Sequence, residues 1–192
     1  MASATRRADD GAVSSVRYFA YGSNMQSHTL RSRRTIEPAS AIAARAFGWR
    51  LVLDKPSIMI AEEGMANIVA DSGSEVCGVL YDITEDDLVH LDLTEGVLIG
   101  NYARVEIAVR PLAETTGTIV EDIRAFTFVS EHRREGILPS LRYMQLLVEG
   151  ALEHGLPPSY VKWLQGLPAR AETAEAQLWR PVLDHAMRRD RR

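Results

Sequence analysis

The chain has 192 residues, 46% of them hydrophobic, enough for one compact domain with its own core. Its 22 basic and 26 acidic side chains leave a net charge of −4, too mild for bulk electrostatics to draw the chain to nucleic acid or an acidic membrane surface. The single cysteine, Cys77, excludes an internal disulfide, and the five histidines are scattered without metal-ligand spacing, so neither a metal nor a cofactor is expected.

Residues 1–15 carry Arg6, Arg7, Asp9 and Asp10 and no apolar stretch, which predicts a disordered tail with no secretory leader. No apolar run approaches the ~18 residues that span a bilayer. A cytoplasmic protein without a membrane partner is the expectation.

Residues 16–21 read as a short buried strand running into a small polar turn, Gly22-Ser23-Asn24. Gly22 is free to take a positive φ, and Ser23 and Asn24 are suited to cap a brief helix over 26–33. Main-chain amides of such a turn converge on one point, as at other anion-binding turns. Arg31, Arg33 and Arg34 read as solvated cations at a helix end. Two strands follow, 39–46 and 49–54, parted by Phe47-Gly48, and Lys55-Pro56 opens an irregular loop through Glu63. Residues 66–70 and 76–83 predict a hairpin turning at Asp71-Ser72-Gly73-Ser74.

Thr84-Glu85-Asp86-Asp87 is close to a capping box and opens a helix whose apolar side is Leu88, Leu91 and Leu93. Glu95-Gly96 ends that helix and leaves the Glu95 carboxylate at its end. Asp92 reads as a surface or capping residue. Residues 102–111 and 123–130 alternate as paired strands joined by 113–121, and 131–135 is a solvated connection. An amphipathic helix over 139–154, with Leu141, Met144, Leu147, Val148, Ala151 and Leu152 on its apolar face, stops at Gly155 and Pro157-Pro158. A further turn or two spans 160–165. The stretch 169–192 is helical in composition and interrupted by Pro181. Its Leu178, Trp179, Val182 and Leu183 could cover the domain or a second subunit, which leaves a homodimer open. Strands first and helices late predict a single α+β domain over 16–168 with a C-terminal helical extension.

Tyr18-Phe19-Ala20-Tyr21-Gly22-Ser23-Asn24, followed by an aliphatic residue, resembles the signature of the γ-glutamylcyclotransferase family, within the AIG2-like superfamily. Leu91-Asp92-Leu93-Thr94-Glu95-Gly96-Val97 is similar to that family's Leu-Asp-x-x-Glu-Gly-Val segment, which carries its essential glutamate. Gly64-Met65-Ala66-Asn67-Ile68, Val76-Cys77-Gly78-Val79-Leu80-Tyr81, Tyr102 and Tyr143 extend the resemblance over most of the chain, about 16–160. It implies a small mixed β-barrel flanked by helices and a small-molecule γ-glutamyl substrate that is closed to 5-oxoproline. It implies Glu95 as the catalytic residue, with Tyr18, Phe19, Ala20, Tyr21, Gly22, Ser23, Asn24, Tyr102 and Tyr143 around the substrate.

The reaction asks little of a protein beyond folding the substrate, because the α-amine attacks the γ-carbonyl of its own molecule, and proximity can be worth ~7 to 11 kcal/mol. Glu95 would act first as base and then as acid. At reference values the amine and a glutamate differ by about 3.5 pKa units, so an apolar pocket against Val97 or Tyr102 is expected around Glu95. The 21–23 turn would hold either the oxyanion or the substrate α-carboxylate. Two alternatives stand beside this reading: a relative acting on γ-glutamylamines or on a γ-glutamyl-protected biosynthetic intermediate, and a γ-glutamyl-binding module without turnover. The loops 55–63 and 131–138 are where the choice of leaving group would be made.

Overall fold

A computed structural model describes residues 15–60, 62–112, 121–186 and 188. The expected tail, apart from Ser15, the connection 113–120, the side chain of Leu183 and residues 187 and 189–192 lie outside the described residues.

Five strands close into a mixed barrel in the order β1-β3-β2-β4-β5, the architecture implied by the family resemblance. The strands are β1 (Ser15–Ala20), β2 (Ser40–Pro56), β3 (Gly64–Thr84), β4 (Ala103–Pro111) and β5 (Ile123–Val129). Closure comes from the parallel pairing of β1 with β5 at Tyr18 and Phe126, and the remaining neighbours are antiparallel. A closed sheet leaves no unpaired edge. Helices α1 (Glu85–Glu95), α2 (Leu141–Glu153), α3 (Pro158–Gln165) and α4 (Ala174–Ala186) flank it.

Two strand expectations are corrected. Residues 40–56 form one strand, because Gly48, at φ +77, makes a bulge between Phe47 and Trp49 and does not break the strand. Residues 71–74 are not a hairpin turn. Both 64–70 and 75–82 pair with β2, so they must run in the same direction as one long strand, and 71–74 bulge opposite Gly48. Asp71 stabilises the bulge, accepting from Gly73 N at 3.2 Å and pairing with Arg50 at 2.9 Å. The true hairpin joins β2 to β3 through the loop 57–63.

The capping box of α1 forms with Asp87 in the role usually taken by Glu or Gln, both reciprocal bonds being present. Leu88 and Leu91 are buried as expected, but Leu93 is exposed; Asp87 and His90 share the buried side. On α2 the buried side is Tyr143, Met144, Leu147, Gly150 and Ala151, so Leu141 and Leu152 lie on the exposed side. Helix α4 runs through Pro181 without interruption and docks by Ala176, while Leu178, Trp179 and Val182 face outward. No helix of the described residues is long and apolar enough to cross a membrane.

Candidate active site

Strand β1 delivers Tyr21 and Gly22 into a single 3₁₀ turn, Ser23–Met25, and the brief helix expected over 26–33 follows, helical from Ser27 and of π type over Thr29–Arg33. Gly22 has φ −113, which needs no glycine. Its missing Cβ matters for space, since one would sit 3.2 Å from the Ala66 Cβ and 3.4 Å from the Tyr143 Oη. Neither Ser23 nor Asn24 serves as a cap. Asn24 turns inward instead, and its Nδ2 donates to Tyr18 Oη at 2.9 Å and to Glu95 Oε1 at 3.1 Å. Beneath the turn, Tyr81 Oη donates to the Met25 carbonyl at 3.0 Å, and Gly150 lets α2 press against it.

Glu95 is the last residue of α1. Gly96, in the left-handed region at φ +72, ends the helix and carries its N–H back to the Leu93 carbonyl. Asn101 Nδ2 then donates to the Glu95 main-chain oxygen at 2.8 Å. The Glu95 carboxylate does not sit in the apolar pocket expected for it. Arg34 Nη2 donates to Oε1 at 2.7 Å, the same oxygen that Asn24 meets. Arg34 is 7% exposed, so the solvated role expected for it is corrected: its chain position beyond a helical turn places it under the site, where Nε also donates to Asn24 Oδ1 at 3.3 Å. Its remaining terminal nitrogen, Nη1, is buried without a hydrogen-bond partner.

A second buried cation went unread in the sequence. Lys55, at the end of β2, is 2% exposed. Its ammonium donates to Asn101 Oδ1 and lies 4.7 Å from the centre of the Tyr102 ring. Burial lowers its pKa to about 8, partly offset by the nearby Glu95 carboxylate.

The tyrosines frame the same space. Tyr143 Oη accepts from Ala66 N at 3.0 Å and Tyr102 Oη donates to Ala66 O at 2.8 Å, so one residue of β3 anchors both. Tyr21 Oη donates to the Phe128 carbonyl. Desolvation raises the pKa of Tyr18, Tyr21, Tyr102 and Tyr143, which keeps all four hydroxyls neutral.

These groups enclose a cavity of about 320 Å³, the scale of a small-ligand site. Of the residues predicted for the site, Tyr18, Tyr21, Gly22, Ser23, Asn24, Glu95, Tyr102 and Tyr143 line it. Phe19 and Ala20 do not; they are buried in the barrel wall, Phe19 against Gly78. Asp92 lies outside the cavity, paired with Arg104 at 2.8 Å. Arg34, Lys55 and Asn101 were missed by sequence reasoning. Lys55 carries no local signal of burial, since it stands between Asp54 and Pro56 in the pattern of a loop start.

The profile of the AIG2-like family matches residues 75–164. The γ-glutamylcyclotransferase of Bos taurus is 30% identical over 164 residues, which cover 84% of this chain and 82% of that protein. The γ-glutamylcyclotransferase of Homo sapiens is 30% identical over 155 residues, covering 78% of this chain and 77% of that protein. A solved structure titled γ-glutamyl cyclotransferase superposes with a TM-score of 0.74 at 25% identity, over 90% of this chain and 99% of that one.

Proposed function

The chain belongs to the γ-glutamylcyclotransferase family, and we propose that it closes γ-glutamyl amides to 5-oxoproline and releases the attached amine, with Glu95 carrying the protons. The observation that supports this reading most strongly is the Glu95 carboxylate, fixed through Oε1 by Arg34 and Asn24 at a cavity that Tyr18, Tyr21, Tyr102 and Tyr143 also line.

With Oε1 held, Oε2 is the oxygen that takes a proton from the substrate α-ammonium. The freed amine attacks the γ-carbon, and the lactam C–N bond forms as the γ-carbonyl becomes a tetrahedral oxyanion. Main-chain amides of the Gly22 and Ser23 turn stabilise that oxyanion, a contribution of about 3 to 4 kcal/mol for one preorganised donor. Collapse breaks the original amide bond, and the departing nitrogen takes up the protons that the ring nitrogen sheds, passed by Glu95. No water is consumed. The tyrosine-lined cavity holds the glutamyl chain in the folded pose that makes the attack intramolecular.

The test is product analysis in ¹⁸O-labelled water with a panel of γ-glutamyl dipeptides and γ-glutamylamines. Cyclisation yields 5-oxoproline without label. Labelled glutamate would show a hydrolase, and binding without any product would show a module that has lost turnover; either result overturns the reading.

A further inference from the structure

Two buried cations, Arg34 and Lys55, and the Glu95 carboxylate line the cavity. Four further charged residues stand on its rim, Arg33 and Arg142 against Glu63 and Glu172, two of each sign. Among the described residues the site therefore carries one positive charge in excess. Such an excess, out of water, is stabilised by a ligand of the opposite net charge.

Resting on the proposed cyclisation, we infer that Lys55 reads a carboxylate on the leaving amine, and so selects γ-glutamyl amino acids over γ-glutamylamines. A γ-glutamyl amino acid has an α-ammonium and two carboxylates, one net negative charge; a γ-glutamylamine lacks the second carboxylate and is neutral overall. Only the first balances the cavity.

Geometry assigns the two carboxylates to the two cations. The α-amine and α-carboxylate share one carbon, so a substrate that presents its amine to Glu95 brings its α-carboxylate alongside. Arg34 is bonded to Glu95 there, and its Nη1 is buried with no acceptor. Lys55 remains for the other end of the substrate. Its ammonium has three donors, of which Asn101 takes one, and among the described residues no carboxylate lies within ion-pair distance of it. It also stands at the root of the loop 57–63, whose Ser57, Ile58 and Met59 line the cavity on their way to the surface. A group leaving toward that loop passes Lys55. Asn101 ties the lysine to the main chain of Glu95, so the reader of the leaving group and the proton carrier share one support.

The test uses a matched pair, γ-glutamylalanine and γ-glutamylethylamine, which differ by the one carboxylate. The wild type is expected to favour the first in kcat/KM by roughly 10- to 100-fold, the range for a hydrogen bond to a charged group. In Lys55→Met the ratio collapses toward one through a raised KM for γ-glutamylalanine, and Lys55→Arg restores most of it. Calorimetric binding of both compounds to Glu95→Gln reads the same preference without turnover. A ratio unchanged in Lys55→Met, or a wild type that cyclises both compounds equally well, overturns the inference while leaving the cyclisation intact. Preferential binding of γ-glutamylalanine by a protein that forms no 5-oxoproline would overturn the proposed activity and leave the Lys55 assignment standing.

Discussion

Arg34 Nη2 stands 2.7 Å from Glu95 Oε1, with only 8% and 14% of the two side chains exposed. Removing one partner of such a pair leaves the other charge without its counterion. Arg34→Met is therefore expected to lose about 3 kcal/mol of stability, at the lower end for a broken buried pair. Activity should fall with it, because Asn24 loses its Arg34 donor and Glu95 its anchor. Arg34→Lys keeps the charge but not the planar fork, so it should recover stability better than kcat. Urea unfolding beside 5-oxoproline release separates the two effects.

Lys55 gives a stability prediction with a defined sign. Its pKa falls from the usual 10.5 to about 8 in the folded chain. Between those values the unfolded chain binds more protons than the folded one, so wild-type stability rises with pH across that window. Below pH 8 the burial of the ammonium is a full penalty. Lys55→Met should be the more stable protein at pH 7, by about 1 to 3 kcal/mol, with the advantage fading as pH climbs through 8 toward 10.5. Denaturant midpoints of the two proteins at pH 7 and pH 10 check it; an advantage that grows with pH would contradict it.

Gly150 reverses an ordinary rule. Glycine to alanine within a helix normally gains up to about 1 kcal/mol. Here an added Cβ would lie 2.6 Å from Gln26 N and 2.7 Å from the Met25 carbonyl carbon. Backbone on both sides must move, and that backbone is the end of the turn beside Glu95. Gly150→Ala should lower the melting temperature and reduce kcat together. Gly22→Ala meets looser contacts, so its effect should appear mainly in substrate binding. Thermal unfolding and steady-state kinetics of both variants distinguish the two outcomes.

Tyr143 holds its proton throughout the working range, since burial pushes its pKa up to about 12. Its oxygen accepts the buried Ala66 N–H, and Tyr143→Phe leaves that donor unsatisfied at a cost of about 1 to 3 kcal/mol. The pH–rate profile between pH 6 and pH 10 should keep its shape and drop in height. A changed profile would mean that the hydroxyl titrates during turnover.

The parts of the site that were legible in the sequence are the ones fixed by local chemistry. Glu95 followed by Gly96 marks a helix end whatever the rest of the chain does, and the Gly22-Ser23-Asn24 turn follows from the apolar string before it. Arg34 was not legible. It meets Glu95 across 61 residues, and beside Arg31 and Arg33 it carries the pattern of a solvated helix end. The strands show the same division. Alternation located β4 and β5 to within a residue, but the continuity of β2 and β3 depends on Gly48 and 71–74 bulging together, a match that neither strand reveals alone. The barrel itself followed from family resemblance, because closure through Tyr18 and Phe126 pairs strands more than a hundred residues apart.

The most direct test of the central claim is 5-oxoproline release by Glu95→Gln beside the wild type, with folding of the variant confirmed by circular dichroism and thermal unfolding. Glutamine keeps the size of the side chain and an oxygen that can accept from Arg34, but cannot take up and return a proton. The account predicts release by the wild type and a fall of about 100-fold or more in the folded variant, the scale of a lost general acid–base residue. Equal turnover by the two proteins would contradict it and move the proton carrier to another residue of the cavity.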